Sequence, residues 1–79
     1  MKVRILYFAS LRDAADRDSE DVATIGSDVR ALYEELRRRH GFTMPAERLR
    51  VAVNGEFAGW DRALADGDEV AFLPPMSGG

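Results

Sequence analysis

Apolar and polar residues alternate with a period of two near both ends of the chain and recur with helical spacing once between them. From Lys2 to Ala9 the alternation puts Val3, Ile5 and Tyr7 on one face and Arg4, Leu6 and Phe8 on the other. That is the pattern of a half-buried strand rich in β-formers. Ser10 to Ser19 is polar and charged and predicts a surface loop with room for one short helical turn. Glu20 to Ile25 predicts a second strand, with Val22 and Ile25 as its apolar residues, paired to the first as a hairpin. Val29, Leu32, Tyr33 and Leu36 then follow the i, i+3, i+4, i+7 rule of an amphipathic helix. Ser27 is the expected N-cap and Asp28 complements the positive helix end. Arg37, Arg38 and Arg39 fall in the last turn, and Gly41 stands where a left-handed cap is expected, with Phe42 folding back on Leu36. Met44 and Pro45 begin a connector to a third strand, Arg48 to Val53. Asn54-Gly55 is a two-residue hairpin signal into a short strand, Glu56 to Ala58. Gly59 to Leu64 is irregular, with Trp60 and Leu64 set against an edge of the core. Asp66-Gly67-Asp68 is a turn that feeds a last strand, with Val70 and Phe72 on one face and Ala71 and Leu73 on the other. Pro74 and Pro75 stop it, because neither can donate to a ladder.

The predicted order is strand, strand, helix, strand, short strand, strand. One amphipathic helix is available to cover one face of a mixed sheet, an α+β arrangement of the β-grasp, or ubiquitin-like, kind. A split ferredoxin-like fold needs a second helix, and nothing after Gly41 keeps helical period over ten residues. Residues 1–79 form a single domain in this reading, globular over 1–73 with a protruding, flexible tail over 74–79. If the helix covers the face bearing Val3, Ile5, Tyr7, Val70 and Phe72, alternation turns Phe8 and Leu73 to the opposite face. There they are expected to form a partner-docking patch beside the tail, with Arg12 close by and Phe57 on the neighbouring hairpin.

Composition narrows the chemistry. The chain has no cysteine, which excludes disulfide staples, thiolate metal sites and a cysteine nucleophile. Its single histidine, His40, has no second histidine or thiolate to share a metal with and is read as structural, so no metal site is expected. A net charge of −3 disfavours nucleic-acid binding, and the Arg37 to Arg39 run suits a helix C-terminus better than a phosphate patch. The first strand begins at once, without signal-peptide layout, and no apolar stretch nears the ~20 residues of a membrane span. A cytoplasmic location without membrane contact is the expectation.

Scattered carboxylates, no phosphate-cradling loop and no Ser/His/Asp order leave the terminal carboxylate on its glycine tail as the distinctive group. From Pro75 to that carboxylate the chain spans at most about 16 to 18 Å, enough to reach into a partner. Gly78 and Gly79 carry no side chain, so the end can thread a narrow channel. A carboxylate is a poor electrophile until another enzyme activates it, most simply as a mixed anhydride with AMP. If sulfide or a persulfide displaces AMP, the product is a thiocarboxylate, in the persulfide case once a thiol has cleaved the S–S bond.

The stretch Asp66 to Gly79, Asp-Gly-Asp-Glu-Val-Ala-Phe-Leu-Pro-Pro-Met-Ser-Gly-Gly, resembles the tail of the MoaD family, the small subunits of molybdopterin synthase. The similarity runs along the whole chain. Val3 to Ala9 with the following Arg12 is similar to that family's first strand and trailing arginine, and Val51-Ala-Val-Asn54 resembles its third strand. The combination of Asp-Gly-Asp-Glu-Val with Pro-Pro-x-Ser-Gly-Gly is the specific part. Leu73 departs from a common aromatic, and Asp16 and Arg17 stand where a glycine is frequent. The resemblance implies a sulfur carrier with no permanently bound cofactor. Its Gly79 would be adenylated by an E1-like, ATP-dependent enzyme, then thiocarboxylated with sulfur supplied through a sulfurtransferase. Pro74, Pro75, Met76, Ser77 and Gly78 would carry it into the active site of the large subunit, in a heterotetramer of two small and two large chains. There sulfur passes to cyclic pyranopterin monophosphate to build the molybdopterin dithiolene, with catalytic residues supplied by the large subunit. Carriers for thiazole, cysteine or tRNA thiolation share the Gly-Gly end, although thiazole carriers usually lack the double proline. A ubiquitin-like protein modifier is the alternative from another class.

Overall fold

The last strand lies at the centre of the sheet, and the rest of the fold follows from how it is held there. A computed structural model describes residues 1–75. Its elements are β1 (Lys2–Tyr7), α1 (Ala9–Ala15), β2 (Ser19–Ala23), α2 (Val29–His40), a 3-10 turn (Ala46–Arg48), β3 (Arg50–Val53), β4 (Glu56–Ala58) and β5 (Glu69–Leu73). The five strands are ordered β2-β1-β5-β3-β4. β1 and β5 run parallel and the other neighbours antiparallel, the mixed sheet of a β-grasp.

Alternation decides which face is covered. Val3, Ile5, Tyr7, Val51, Val53, Val70 and Phe72 are all buried. The apolar stripe of α2, Val29, Leu32, Tyr33 and Leu36, lies in the same core, and the Tyr33 ring sits 5.2 Å from that of Phe72. Burying side chains of this size stabilises the fold by about 1.5 to 3 kcal/mol each. Trp60 stacks on Phe72 at 6.0 Å and Leu64 is buried, so the irregular segment closes the edge as expected. Asn54 and Gly55 both take positive φ, 52° and 85°, as a type I′ hairpin requires.

Four local expectations need correction. Ser10 to Ser19 is mostly helical: α1 spans seven residues and turns Leu11 and Ala15 into the core. Two helices therefore contribute to the core, where one was expected. Two inward residues one turn apart are too few for a periodic signal. Asp16, where a glycine was noted as frequent, ends α1 at φ 58° and donates its N–H to the Arg12 carbonyl at 2.9 Å. Aspartate tolerates that region better than most residues. Second, Asp28 and not Ser27 caps α2, its carboxylate accepting from the Ala31 N–H at 2.9 Å. The Ser27 carbonyl is engaged elsewhere, accepting from Leu64 N–H.

Third, β2 ends at Ala23 and Ile25 is fully exposed, at 102%. Val22 and Ile25 are three apart and so point to opposite faces of any strand. The inward position goes to Thr24, whose hydroxyl donates to Glu35 at 2.8 Å and accepts from Gly26 N–H at 2.9 Å. Fourth, β3 begins at Arg50, because the preceding turn tucks Ala46 and Leu49 inward.

His40 is structural in its geometry. Its Nε2 lies 2.5 Å from Glu20 Oε1, the same oxygen that accepts from the Tyr7 hydroxyl, also at 2.5 Å. Burial alone would raise the Glu20 carboxyl, but the hydrogen bonds from Tyr7 and His40, with Arg17 nearby, hold it below the ordinary value. Burial and the same Glu20 contact push the Tyr7 phenol well up. The end of α2 is thereby tied to β1 and β2. Arg37 closes that helix by donating to the Phe42 carbonyl at 3.2 Å.

Candidate functional site

The turn before β5 sets where the chain leaves the sheet. Asp66 accepts from Lys2 N–H at 2.7 Å, and Gly67 N–H donates to the Lys2 carbonyl at 2.8 Å. Gly67 reaches that position at φ 86°, a region where a side chain would be strained. Asp68 is buried. It accepts from Ala65 N–H at 2.8 Å and from the Asn54 amide at 2.9 Å, with Arg62 at 3.4 Å. The Ala65 and Asn54 hydrogen bonds hold its carboxyl below the usual range. Asn54 also accepts from Glu69 N–H at 2.9 Å, so one carboxylate and one amide join the β3 hairpin to the start of β5. The Asp-Gly-Asp-Glu-Val run thus locks β5 in register between β1 and β3, with Tyr7 beside Phe72 and Val51 beyond it.

At the other end of β5, Leu73 and the two prolines leave the sheet next to the end of β1. On the open face, Leu6, Ala71, Ala52 and Phe57 stand in one cross-strand row. The two alanines place little side chain in the middle of this row. Phe8 is 43% exposed and Phe57 65% exposed, while Leu73 and Pro74 are half-buried. With Pro75 they line an open groove of about 590 Å³. Such a cluster of exposed large apolar groups is the usual mark of an interaction surface.

Of the residues expected at the patch, Phe8, Phe57 and Leu73 come together and meet Pro74 and Pro75. Arg12 does not line this groove. It belongs to a separate charged depression with Asp13, Asp16, Arg17 and Asp18, and pairs loosely with Asp18 at 3.9 Å. The reason is α1, which begins just after Phe8 and carries Arg12 away from the end of β1. Met76, Ser77, Gly78 and Gly79 lie outside the described residues. Sequence reasoning overlooked Ala9, Arg48 and Arg50, which also line the groove; Arg50 faces it by the same alternation that exposes Leu73, its register partner. Among the described residues no cluster of histidine and carboxylate groups could hold a metal ion, and no helix is long and apolar enough to cross a membrane.

Residues 5–79 match the ThiS family. The chain belongs to the ThiS family. Two relatives, each called molybdopterin synthase sulfur carrier subunit, are 35% identical to it. The one from Mycobacterium tuberculosis aligns over 100% of this chain and 99% of its own length. The one from Escherichia coli aligns over 98% and 99%. Among solved structures, SAMP1 from Haloferax volcanii superposes with a TM-score of 0.84 at 29% identity, covering both chains completely. The likeness to small sulfur carriers read from the tail residues therefore extends to the whole family fold.

Proposed function

We propose that this ThiS-family chain is the sulfur carrier subunit of a molybdopterin synthase, with residues 1–73 as the docking body and 74–79 as the tail that bears the chemistry. One observation carries the reading: the central strand of the sheet runs into Pro74 and Pro75 beside an open apolar groove, in a chain whose sequence continues Met-Ser-Gly-Gly and whose relatives bear that name. An E1-like enzyme transfers AMP from ATP to the Gly79 carboxylate and releases pyrophosphate. Sulfide, supplied through a sulfurtransferase, then attacks the activated carbonyl and expels AMP, leaving a thiocarboxylate at Gly79. The body docks through Phe8, Phe57 and Leu73 on the large subunit, as one of two small chains on a pair of large ones. The tail reaches the large subunit's active site, where the thiocarboxylate gives its sulfur to cyclic pyranopterin monophosphate. Gly79 donates sulfur, and proton transfers and substrate binding fall to the large subunit.

A second reading is favoured by the fit to SAMP1, since another structure of the protein from that organism calls it small archaeal modifier protein 1. In that role the activated Gly79 would be attacked by a lysine amine to give an isopeptide. One experiment separates the two. The chain is incubated with its activating enzyme, ATP and a sulfur donor, and its intact mass is measured before and after addition of the large subunit and the pterin substrate. The carrier reading predicts one oxygen-to-sulfur exchange that maps to Gly79 and disappears on turnover. An extra mass on a side chain, or isopeptide-linked products without sulfur gain, would overturn it.

A further inference from the structure

The groove beside the tail has a charge opposite to that of the whole chain. The net charge is −3, yet the charged residues lining the groove are Arg48 and Arg50, with no carboxylate among the lining residues. Arginines elsewhere are commonly matched: Arg4 pairs with Asp21 at 3.2 Å on the same open face, and Arg17, Arg37, Arg39 and Arg62 each have an acid within 4 Å. Among the described residues Arg48 and Arg50 pair with none. Arg50 is instead held by the Phe57 ring, its guanidinium 4.3 Å from the ring centroid. That arrangement orients a cation whose charge no carboxylate among the described residues offsets, with an N–H fork suited to a planar anion.

We propose that the groove docks a partner protein whose contact surface is acidic, with Asp or Glu side chains opposite Arg48 and Arg50 and an apolar group seated between Phe8, Phe57 and Leu73. This rests on the docking role of the groove proposed above. Two cations on an acidic chain are too few for a nucleic-acid footprint, but they suffice to steer a carboxylate-bearing surface and to fix its register on an apolar patch. Two arginines at the rim of this groove also disfavour self-association through it, since two copies would set like charges together.

The probe is the large subunit of the synthase, with association and dissociation rates measured at low and at physiological ionic strength. Full-length chains carrying Arg48→Gln, Arg50→Gln, both together, Arg50→Lys or Phe8→Asp are compared, each with a thermal melt. The double glutamine variant is expected to associate roughly tenfold more slowly at low salt and to lose most of the salt dependence, with an unchanged melt. Arg50→Lys keeps the charge and should retain the salt dependence. If the double variant binds as the parent does at both salt concentrations while Phe8→Asp still weakens binding, the groove docks its partner without an acidic rim and this inference is wrong. If Phe8→Asp also binds normally, the docking role itself falls.

Discussion

The two ends of β5 are built in opposite ways. At its start nearly every polar group is satisfied inside the domain: Asp66 and Gly67 bond to Lys2, Asp68 to Ala65 and Asn54, and Glu69 to Asn54. At its finish, prolines that cannot donate carry the chain off the sheet between apolar side chains left open to solvent. A single contiguous motif therefore divides its labour. The Asp-Gly-Asp-Glu-Val half serves register and stability, and the Leu-Pro-Pro half takes the chain off the sheet beside the groove. A central strand suits this division because both of its neighbours hold it, so a load on the tail does not fall on a sheet edge.

The largest contrast in effect is expected between two adjacent residues of β5. Phe72 is fully buried against Tyr33 and Trp60. Phe72→Ala should cost about 3 to 5 kcal/mol of stability, measured by denaturant unfolding. One position on, Leu73→Asp should barely move the same curve yet weaken binding to the large subunit by about 2 to 4 kcal/mol in calorimetric titration, and Phe8→Asp should do likewise. A collapse of folding in either aspartate variant would mean that the open face is packed.

Smaller effects are expected at the fastened end. Asp68→Ala leaves Asn54 and Ala65 short of an acceptor and should cost about 1 to 3 kcal/mol. Because the folded-state carboxyl of Asp68 lies below its unfolded value, the stability it contributes is present above the unfolded pKa and lost as pH falls through the folded one. The parent should therefore lose more stability than Asp68→Ala between about pH 5 and pH 3. Parallel melts over that range test it, and equal losses would show that the carboxylate is not held by its neighbours. Smallest of all, Asp28→Ala should cost about 1 kcal/mol through the lost cap, whereas Ser27→Ala should be near neutral.

Legibility in the sequence followed how many residues share one signal. The strand faces, α2 and the Asn54-Gly55 turn were each marked by several residues with one period or one backbone demand, and they stand as read. α1 rests on Leu11 and Ala15 alone, and the choice of Asp28 over Ser27 on a one-residue shift that pattern does not resolve. Apolar character misplaced Ile25, because Thr24 finds partners in Glu35 and Gly26 and takes the inward position. At the site, the apolar members of the groove follow from alternation. Arg48 and Arg50 come from a segment distant in sequence, and Arg12 is carried off by a helix that the pattern did not announce. The stacking of Arg50 on Phe57 depends on cross-strand register, which a period along one strand does not contain.

The central claim is that the body holds the fold while the tail holds the chemistry. Its most direct test removes Gly78 and Gly79 and reads two quantities from one preparation: the thermal midpoint, and sulfur acquired on incubation with the activating enzyme, ATP and a sulfur donor. An unchanged midpoint and no sulfur gain are expected. A truncated chain that melts much earlier, or one that still takes up sulfur, would contradict it.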